Sequence, residues 1–375
     1  MVNPDRRHKR IASAIPSQYT AGVTDPAITL KDLAAADLTA ALAPLGVSPF
    51  AARRIHMAVL RDDAFPEAIA CVSKQALRAT RAATTLPHLT QIDKTVSPTD
   101  GFAKYLFGGN GPDPFEAVRI PLLHNPDAPR YIVCVSSQVG CAMRCAFCAT
   151  GRLGFRRNLA PWEIVDQVVK IRADSPHPIG GVVFMGMGEP MLNYDAVMQA
   201  ARILSEPCGL AIAGKAISIS TVGIIPGIRR FTAERRPYRL VISLTSADPN
   251  QRRTLLPIEA AYPTPNLIDA LRDYHTATRR RVLLAWVMMS GINTRPQDAQ
   301  QLAALTRGLP IQLDLIDVND PSGRFQPPSD AERNAFRDAL RTHLGMPVAR
   351  RYSGGRDIHA ACGMLAGLHR SAPQP

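Results

Sequence analysis

From residue 131 onward the chain alternates short apolar runs with longer segments of helical spacing, and this rhythm narrows the folds open to it. The runs are Tyr131–Ser136, Gly181–Gly186, Ala216–Thr221, Arg239–Leu244, Arg281–Met289 and Ile311–Val318. Between them, Pro161–Ala173, Asp195–Leu204, Pro265–Thr276 and Arg295–Arg307 read as helices. Strand and helix in regular alternation build a parallel sheet with helices outside. Six such units fall short of the eight that close a barrel. The spacing therefore predicts an α/β fold with an open, partial (β/α)6 barrel over residues 131–367. In parallel α/β folds the reacting groups gather at the carboxyl ends of the strands.

Upstream the pattern is different. Leu33, Leu38, Leu42, Leu45, Ile55, Val59 and Leu60 recur at helical spacing, which predicts a small helical accessory domain over 28–92. Residues 93–130 are richer in Gly, Pro and Asp. Here Phe102, Tyr105 and Phe107, followed by Gly108-Gly109-Asn110-Gly111-Pro112, fit a strand ending in a turn. This segment reads as a strand-and-turn extension packing on the barrel. The first 27 residues are basic, but no apolar stretch follows them, so they read as a disordered tail rather than a secretory signal. Residues 368–375 read as a second tail. No run is long and apolar enough to span a bilayer. An odd count of seven cysteines argues against a secreted disulfide scaffold, so a cytoplasmic protein is expected. The net charge of +13 suits a polyanionic partner such as nucleic acid, and equally a merely soluble surface.

Three of the cysteines lie together as Cys141-Ala-Met-Arg-Cys145-Ala-Phe-Cys148, directly after the first barrel strand. Thiolates are the ligands of iron–sulfur clusters. Three ligands for a [4Fe–4S] cluster leave one iron open, and that iron can hold the amino and carboxylate groups of S-adenosylmethionine. Reductive cleavage of the sulfonium then yields a 5′-deoxyadenosyl radical. A structural zinc site would need a further ligand pair, and no matching His or Cys pair lies nearby. Phe147 fits the aromatic that such radical enzymes place at the adenine. After the second strand comes Gly186-Met187-Gly188-Glu189-Pro190, where glycines permit close backbone approach and Glu189 can accept from an ammonium. Ser220, Ser243, Thr245 and Asn319 stand at or beside later strand ends, where small polar side chains suit a ribose and an adenine.

Together these segments resemble the RlmN/Cfr family of class A radical S-adenosylmethionine RNA methyltransferases. The resemblance rests on Cys134-Val-Ser-Ser-Gln-Val-Gly-Cys141, Gly154-Phe155 with Arg157-Asn158-Leu159, Phe184–Asn193, Ala360-Ala361-Cys362-Gly363 and Thr99-Asp100-Gly101-Phe102. It runs from about residue 95 to 367, and the helical N-terminal part matches in outline only. It implies that Cys362 receives a methyl group and that Cys134 resolves the RNA adduct, leaving a transient Cys134–Cys362 disulfide. It implies Glu116 as proton acceptor. Gly188, Glu189, Ser220, Ser243, Thr245 and Asn319 fall on cofactor-contacting positions, and Cys141, Cys145 and Cys148 on the metal ligands.

The activity so implied is methylation of carbon 2 of an adenine in 23S ribosomal RNA, with transfer RNA as a second substrate. Two S-adenosylmethionine molecules are used per turnover. An electron donor such as flavodoxin or ferredoxin with its reductase is expected, and a monomeric chain. Loops rich in arginine, at Arg152, Arg156 and Arg157, Arg229, Arg230, Arg235 and Arg236, Arg279–Arg281, and Arg350, Arg351 and Arg356, are candidates for phosphate contacts. Two departures stand out. Thr245 replaces the usual His, and Ile316-Asp-Val-Asn-Asp-Pro lacks the usual aromatic. They keep three alternatives open: carbon-8 methylation with antibiotic resistance as its consequence, a biosynthetic methylase, and a non-enzymatic iron–sulfur RNA-binding protein.

Overall fold

A computed structural model describes residues 28–122 and 127–367. The tails expected at 1–27 and 368–375 lie outside the described residues. Ten strands form one sheet, and their order across it is their order in the chain. Strands β1 (Thr90–Val96), β2 (Ala103–Gly108), β3 (Phe115–Leu122) and β4 (Arg130–Cys134) are successively antiparallel. From β4 the sheet turns parallel through β5 (Ile179–Phe184), β6 (Ile217–Thr221), β7 (Arg239–Ser243), β8 (Val282–Met288), β9 (Ile311–Asp317) and β10 (Ala349–Arg350). β1 and β10 are the two edges, so the barrel is open. The six expected strands are all present. The short β10 is a seventh; two residues carry no alternation for a sequence reading to detect. The 93–130 segment joins the barrel by main-chain hydrogen bonds between β3 and β4, not by side-chain packing alone.

The helices are α1 (Ala35–Leu42), α2 (Pro49–Asp62), α3 (Lys74–Ala83), α4 (Ala149–Leu153), α5 (Pro161–Ala173), α6 (Tyr194–Ser205), α7 (Ile225–Ala233), α8 (Pro249–Leu255), α9 (Thr264–Thr278), α10 (Pro296–Leu305) and α11 (Asp330–Leu344). Ser48, Ser73 and Ser329 cap α2, α3 and α11 by accepting from Ala51 N, Ala76 N and Glu332 N. The unforeseen helices have local reasons. α7 opens on Ile225-Pro226-Gly227, which reads as a turn, and α11 buries only Phe336 and Leu340.

Alternate strand residues face opposite sides of the sheet. Val133, Val182, Ile219, Leu240, Leu284 and Leu313 pack outward against the helices. Val241, Ala285 and Ile316 point the other way and form a small inner layer with Met185 and Leu283. The accessory unit has its own core of Leu30, Leu38, Leu42, Val47, Ile55, Val59 and Leu77. Leu45 is exposed instead, because Pro44 and the left-handed Gly46 (φ 73°) end the helix in a tight turn that swings it outward. A buried ionic cluster ties this unit to the barrel. Lys31, fully buried, pairs with Asp63 and with Asp166 of α5, and Lys170 pairs with Asp63 at 2.6 Å. Among the described residues no helix is long and apolar enough to cross a membrane.

Candidate active site

Beyond β4 the chain makes a small hairpin, Gln138–Gly140 against Phe155–Asn158, and the loop it closes carries the three clustered cysteines. The closure needs glycine. Gly140 has φ 70°, and a Cβ there would lie 1.9 Å from the Gly154 carbonyl oxygen. Cys141 N donates to that oxygen at 3.0 Å, and Cys148 N donates to Cys145 O at 3.1 Å. Cys141 is buried, and Cys145 and Cys148 beside it are half-buried. Burial pushes Cys141 up to about 12, and it raises Cys145 and Cys148, with mutual repulsion of the thiolates adding to it. Three converging sulfurs whose charged form the protein alone disfavours suit a cationic iron–sulfur cluster, which would hold them as thiolates.

The loop after β5 lies against the start of this hairpin. A Cβ on Gly186 would sit 2.7 Å from Val135 O, and one on Gly188 2.7 Å from Gln138 Cβ and Ser137 Oγ. Glu189 N donates to Gln138 Oε1, while its carboxylate accepts from Met191 N and Val222 N, both at 3.0 Å. No Lys or Arg pairs with Glu189 among the described residues, and burial pushes its carboxyl up to about 7. A buried carboxylate lacking a cation, at the rim of the cysteine loop, fits the ammonium of S-adenosylmethionine.

Two further sequence candidates carry orphaned buried atoms. Thr245 Oγ1 and Asn319 Oδ1 are buried without a hydrogen-bond partner, as expected for groups that meet a bound ligand. Thr245 also has φ 62°, a costly conformation for a β-branched residue. Asn293 holds it there by donating from Nδ2 to Thr245 O at 2.7 Å. Ser220 and Ser243 are half-buried at the ends of β6 and β7. The donor set, the glycine cradle and the orphaned atoms together fit a [4Fe–4S] cluster with S-adenosylmethionine.

The C-terminal segment brings Cys362 to this site. Cys362 is exposed, Cys134 is buried, and Cys362 lies near enough to disfavour a charge on Cys134. Burial, with Cys362 adding to it, pushes Cys134 up to about 12, and Arg351 opposes the shift. All seven cysteines are free thiols. Two carboxylates, Asp100 in the turn between β1 and β2 and Glu116 on β3, hold the segment on either side of Cys362. Asp100 Oδ2 accepts from Gly355 N at 2.8 Å and from the Tyr352 hydroxyl at 3.0 Å. Glu116 Oε2 accepts from Ala366 N and Gly367 N at 2.7 and 2.9 Å, and its Oε1 pairs with Lys104 at 2.9 Å. Ser353 Oγ accepts from Cys362 N at 3.3 Å and from Asn319 Nδ2 at 2.9 Å. The far side is pinned to the cysteine loop: Ala149 N donates to Gly363 O, and the Thr150 hydroxyl to Leu365 O.

Lys104, Ser353, Asn293 and Arg252 were not found by sequence reasoning, and nothing local marks them. Arg252 is fully buried. It donates from Nη2 to Val222 O at 2.6 Å and from Nε to Leu244 O at 3.2 Å, and it pairs with Glu259. It thereby braces the ends of β6 and β7. The candidate phosphate-binding arginines divide. Arg157 forms a two-pronged pair with Glu163, both bonds 2.8 Å, and Arg351 turns inward to Met185 Sδ. Arg230, Arg236 and Arg350 are ion-paired. Arg156, Arg229, Arg235, Arg279 and Arg356 have no carboxylate partner among the described residues, so they are free to meet phosphates.

Comparison with known proteins gives a consistent picture. Residues 135–303 match the Radical SAM superfamily. The chain is 47% identical over 343 residues to a "Probable RNA methyltransferase" of Myxococcus xanthus (strain DK1622), covering 90% of this chain and 94% of that one. It is 41% identical over 288 residues to "Dual-specificity RNA methyltransferase RlmN" of Syntrophobacter fumaroxidans (strain DSM 10017 / MPOB), covering 75% and 82%. Its fold is similar to that of a crystallised radical SAM methyltransferase from Sphaerobacter thermophilus. The TM-score there is 0.82 at 36% identity, over 91% of this chain and 100% of that one.

Proposed function

Because the chain belongs to the radical S-adenosylmethionine RNA methyltransferases that include the RlmN enzymes, we propose that it methylates carbon 2 of an adenine in 23S ribosomal RNA, with transfer RNA as a second substrate, through an S-methylcysteine at Cys362. An adenine ring carbon is a poor nucleophile, so direct displacement on a sulfonium does not reach it and radical chemistry is required. Cys141, Cys145 and Cys148 would hold the [4Fe–4S] cluster. Gly188 and Glu189 would receive the methionine end of S-adenosylmethionine, and Ser220, Ser243, Thr245 and Asn319 its nucleoside. When bound, these groups supply a methyl cation equivalent and, from a second S-adenosylmethionine, a carbon-centred radical.

The chain's own residues account for the remaining steps. The Cys362 sulfur takes the methyl group as a thiolate. After loss of one hydrogen atom to the deoxyadenosyl radical, its S-methylene carbon bonds to the adenine carbon and links protein to RNA. The ring proton passes to Glu116, and the adduct's remaining unpaired electron would return to the oxidised cluster. Among the described residues Glu116 Oε1 carries one contact, from Lys104, and keeps a lone pair for this transfer. The Cys134 sulfur then attacks the Cys362 sulfur, the carbon–sulfur bond breaks, and methylated RNA leaves behind a Cys134–Cys362 disulfide. An external thiol reductant reopens it. The target base must leave its stack to reach Cys362.

The observation that carries this reading is the approach of Cys134 and Cys362, which are far apart in sequence. A cluster-binding protein without methylation chemistry would have no use for it. The test pairs two variants. Cys134→Ala should keep the cluster and Cys362 methylation but accumulate a protein–RNA adduct on a denaturing gel. Cys362→Ala should form neither. Mass spectrometry of nuclease-digested RNA identifies the product, and 8-methyladenosine would move the reading to carbon 8. Normal turnover by Cys134→Ala, or a Cys362 that never carries a methyl group, refutes the two-cysteine route.

A further inference from the structure

The outer side of the cysteine loop carries a cavity of about 580 Å³, lined by Arg144, Cys145, Arg152, Gly154, Ser322 and Arg324 among others. Cys145 lines this cavity, whereas Cys134, Cys141, Cys148, Glu189 and Cys362 do not border it, so it lies apart from the reacting side. The wall there is thin. Gly151 of α4 packs so closely on the loop that a Cβ would lie 3.1 Å from Cys145 N and 3.2 Å from Arg144 Cα.

The surface around the cavity has a consistent chemistry. Arg144, Arg152 and Arg324 of its lining are exposed. Among the described residues one carboxylate opposes these three guanidinium groups: Asp320, which pairs with Arg152 at 3.0 Å and is itself buried. Asp320 is further occupied by Ser322 N, Ser322 Oγ and Phe325 N, so it shapes the loop rather than neutralising the surface. The same lining holds an exposed apolar side chain, Leu153 at 36% exposure. A small apolar centre with a cationic rim suits a transient protein contact.

Resting on the proposed cluster at Cys141, Cys145 and Cys148, we propose that this face docks an acidic one-electron carrier protein and passes its electron inward past Cys145. The step moves a single electron: the carrier's reduced cofactor is oxidised by one and the cluster is reduced by one, with no bond made or broken. Electron transfer weakens steeply with distance, which makes a thin wall beside a cluster ligand the place for it. Charge steering by the arginine rim speeds the encounter at low ionic strength.

The test uses the full chain with reconstituted cluster and flavodoxin hydroquinone as the probe. The variant Arg144→Glu/Arg324→Glu reverses two rim charges that no carboxylate balances. The single variant Arg324→Glu, outside the cysteine loop, serves if the double variant loses iron. Flavodoxin affinity and the stopped-flow rate of cluster bleaching should each fall about tenfold, and the wild-type rate should fall with added salt. Reduction by dithionite, iron content and affinity for a ribosomal RNA fragment should stay within about twofold of wild type, because a rim charge acts on its own partner. An unchanged bleaching rate, no flavodoxin binding by wild type, or a loss of RNA affinity matching the loss of flavodoxin affinity overturns the assignment; the last gives the face to RNA. Failure of the wild-type chain to take up iron would instead refute the cluster reading itself.

Discussion

Arg252→Met removes a buried cation from the rim of the site while keeping a side chain of similar length. Arg252 is 0% exposed, and its partner Glu259 is 1% exposed. In the variant the Glu259 carboxylate keeps its bonds from Thr264 N and Thr264 Oγ1, both 2.8 Å, but loses its counter-charge. Val222 O and Leu244 O lose their donors as well. Removing one partner of a buried ion pair costs about 3–5 kcal/mol, and each deprived carbonyl adds about 1 kcal/mol or more. A loss of about 5 kcal/mol is therefore expected at neutral pH, taking the lower end of both ranges. The double variant Arg252→Met/Glu259→Met removes both charges. It should regain more than half of the loss, since apolar replacement of a whole buried pair is often nearly neutral; the two carbonyls remain unserved in it. Trp162 and Trp286 are both buried, so urea unfolding followed by their fluorescence reads these differences. The single variant should also bind S-adenosylmethionine more weakly. Val222 N is a donor to Glu189, and Leu244 precedes the strained Thr245, so slack at either strand end reaches the proposed cofactor pocket. A single variant within about 1 kcal/mol of wild type, in the range of an ordinary surface substitution, or a double variant no more stable than the single one, would refute this account of Arg252.

Glu189 gives a pH-dependent test. Burial raises its folded-state pKa from 4.5 to about 7, so the folded ligand-free chain holds a proton that the unfolded chain releases. The stability it contributes is present below pH 4.5 and is lost as pH rises through about 7, by about 3 kcal/mol in all. Glu189→Gln should therefore be more stable than wild type above pH 7, indistinguishable near pH 4, and unable to bind S-adenosylmethionine tightly; a pH-independent difference in thermal midpoint would contradict this. Replacing Cys141, Cys145 and Cys148 together by Ala should abolish iron uptake and the visible charge-transfer absorption on anaerobic reconstitution. Retention of about four irons per chain by that variant would rule the ligand assignment out.

The order of strands and helices was legible because each element announces itself locally, by period-2 or period-3.6 spacing and by Gly, Pro or Ser at its ends. That is why Pro161–Ala173 is observed with the bounds expected and all six barrel strands appear within two residues of theirs. The cysteine triplet was legible for the same reason: three ligands of one cluster lie within a single loop. Elements whose signal is short or one-sided escaped, namely β10 with two residues and α11 with two buried side chains.

The sequence by itself thus determined the fold class, the cysteine triplet and the glycines of the Gly186–Pro190 loop, because those are properties of contiguous residues. Tertiary structure decided what depends on distant parts of the chain meeting. The resemblance singles out Glu116 and the segment around Asp100, yet nothing contiguous shows that the two carboxylates grip the chain on either side of Cys362. Arg157 and Arg351 look like the other arginines near them, yet one is committed to Glu163 and the other is drawn in beside Cys134, while Arg156 and Arg356 stay without a carboxylate partner among the described residues. Arg252 appears in a run of polar residues and ends as the fully buried brace of two strand ends. No periodicity encodes such pairings. Each follows from which strand lies beside which in the folded sheet, and the free energy of a charge depends on the burial and the partner it finds there.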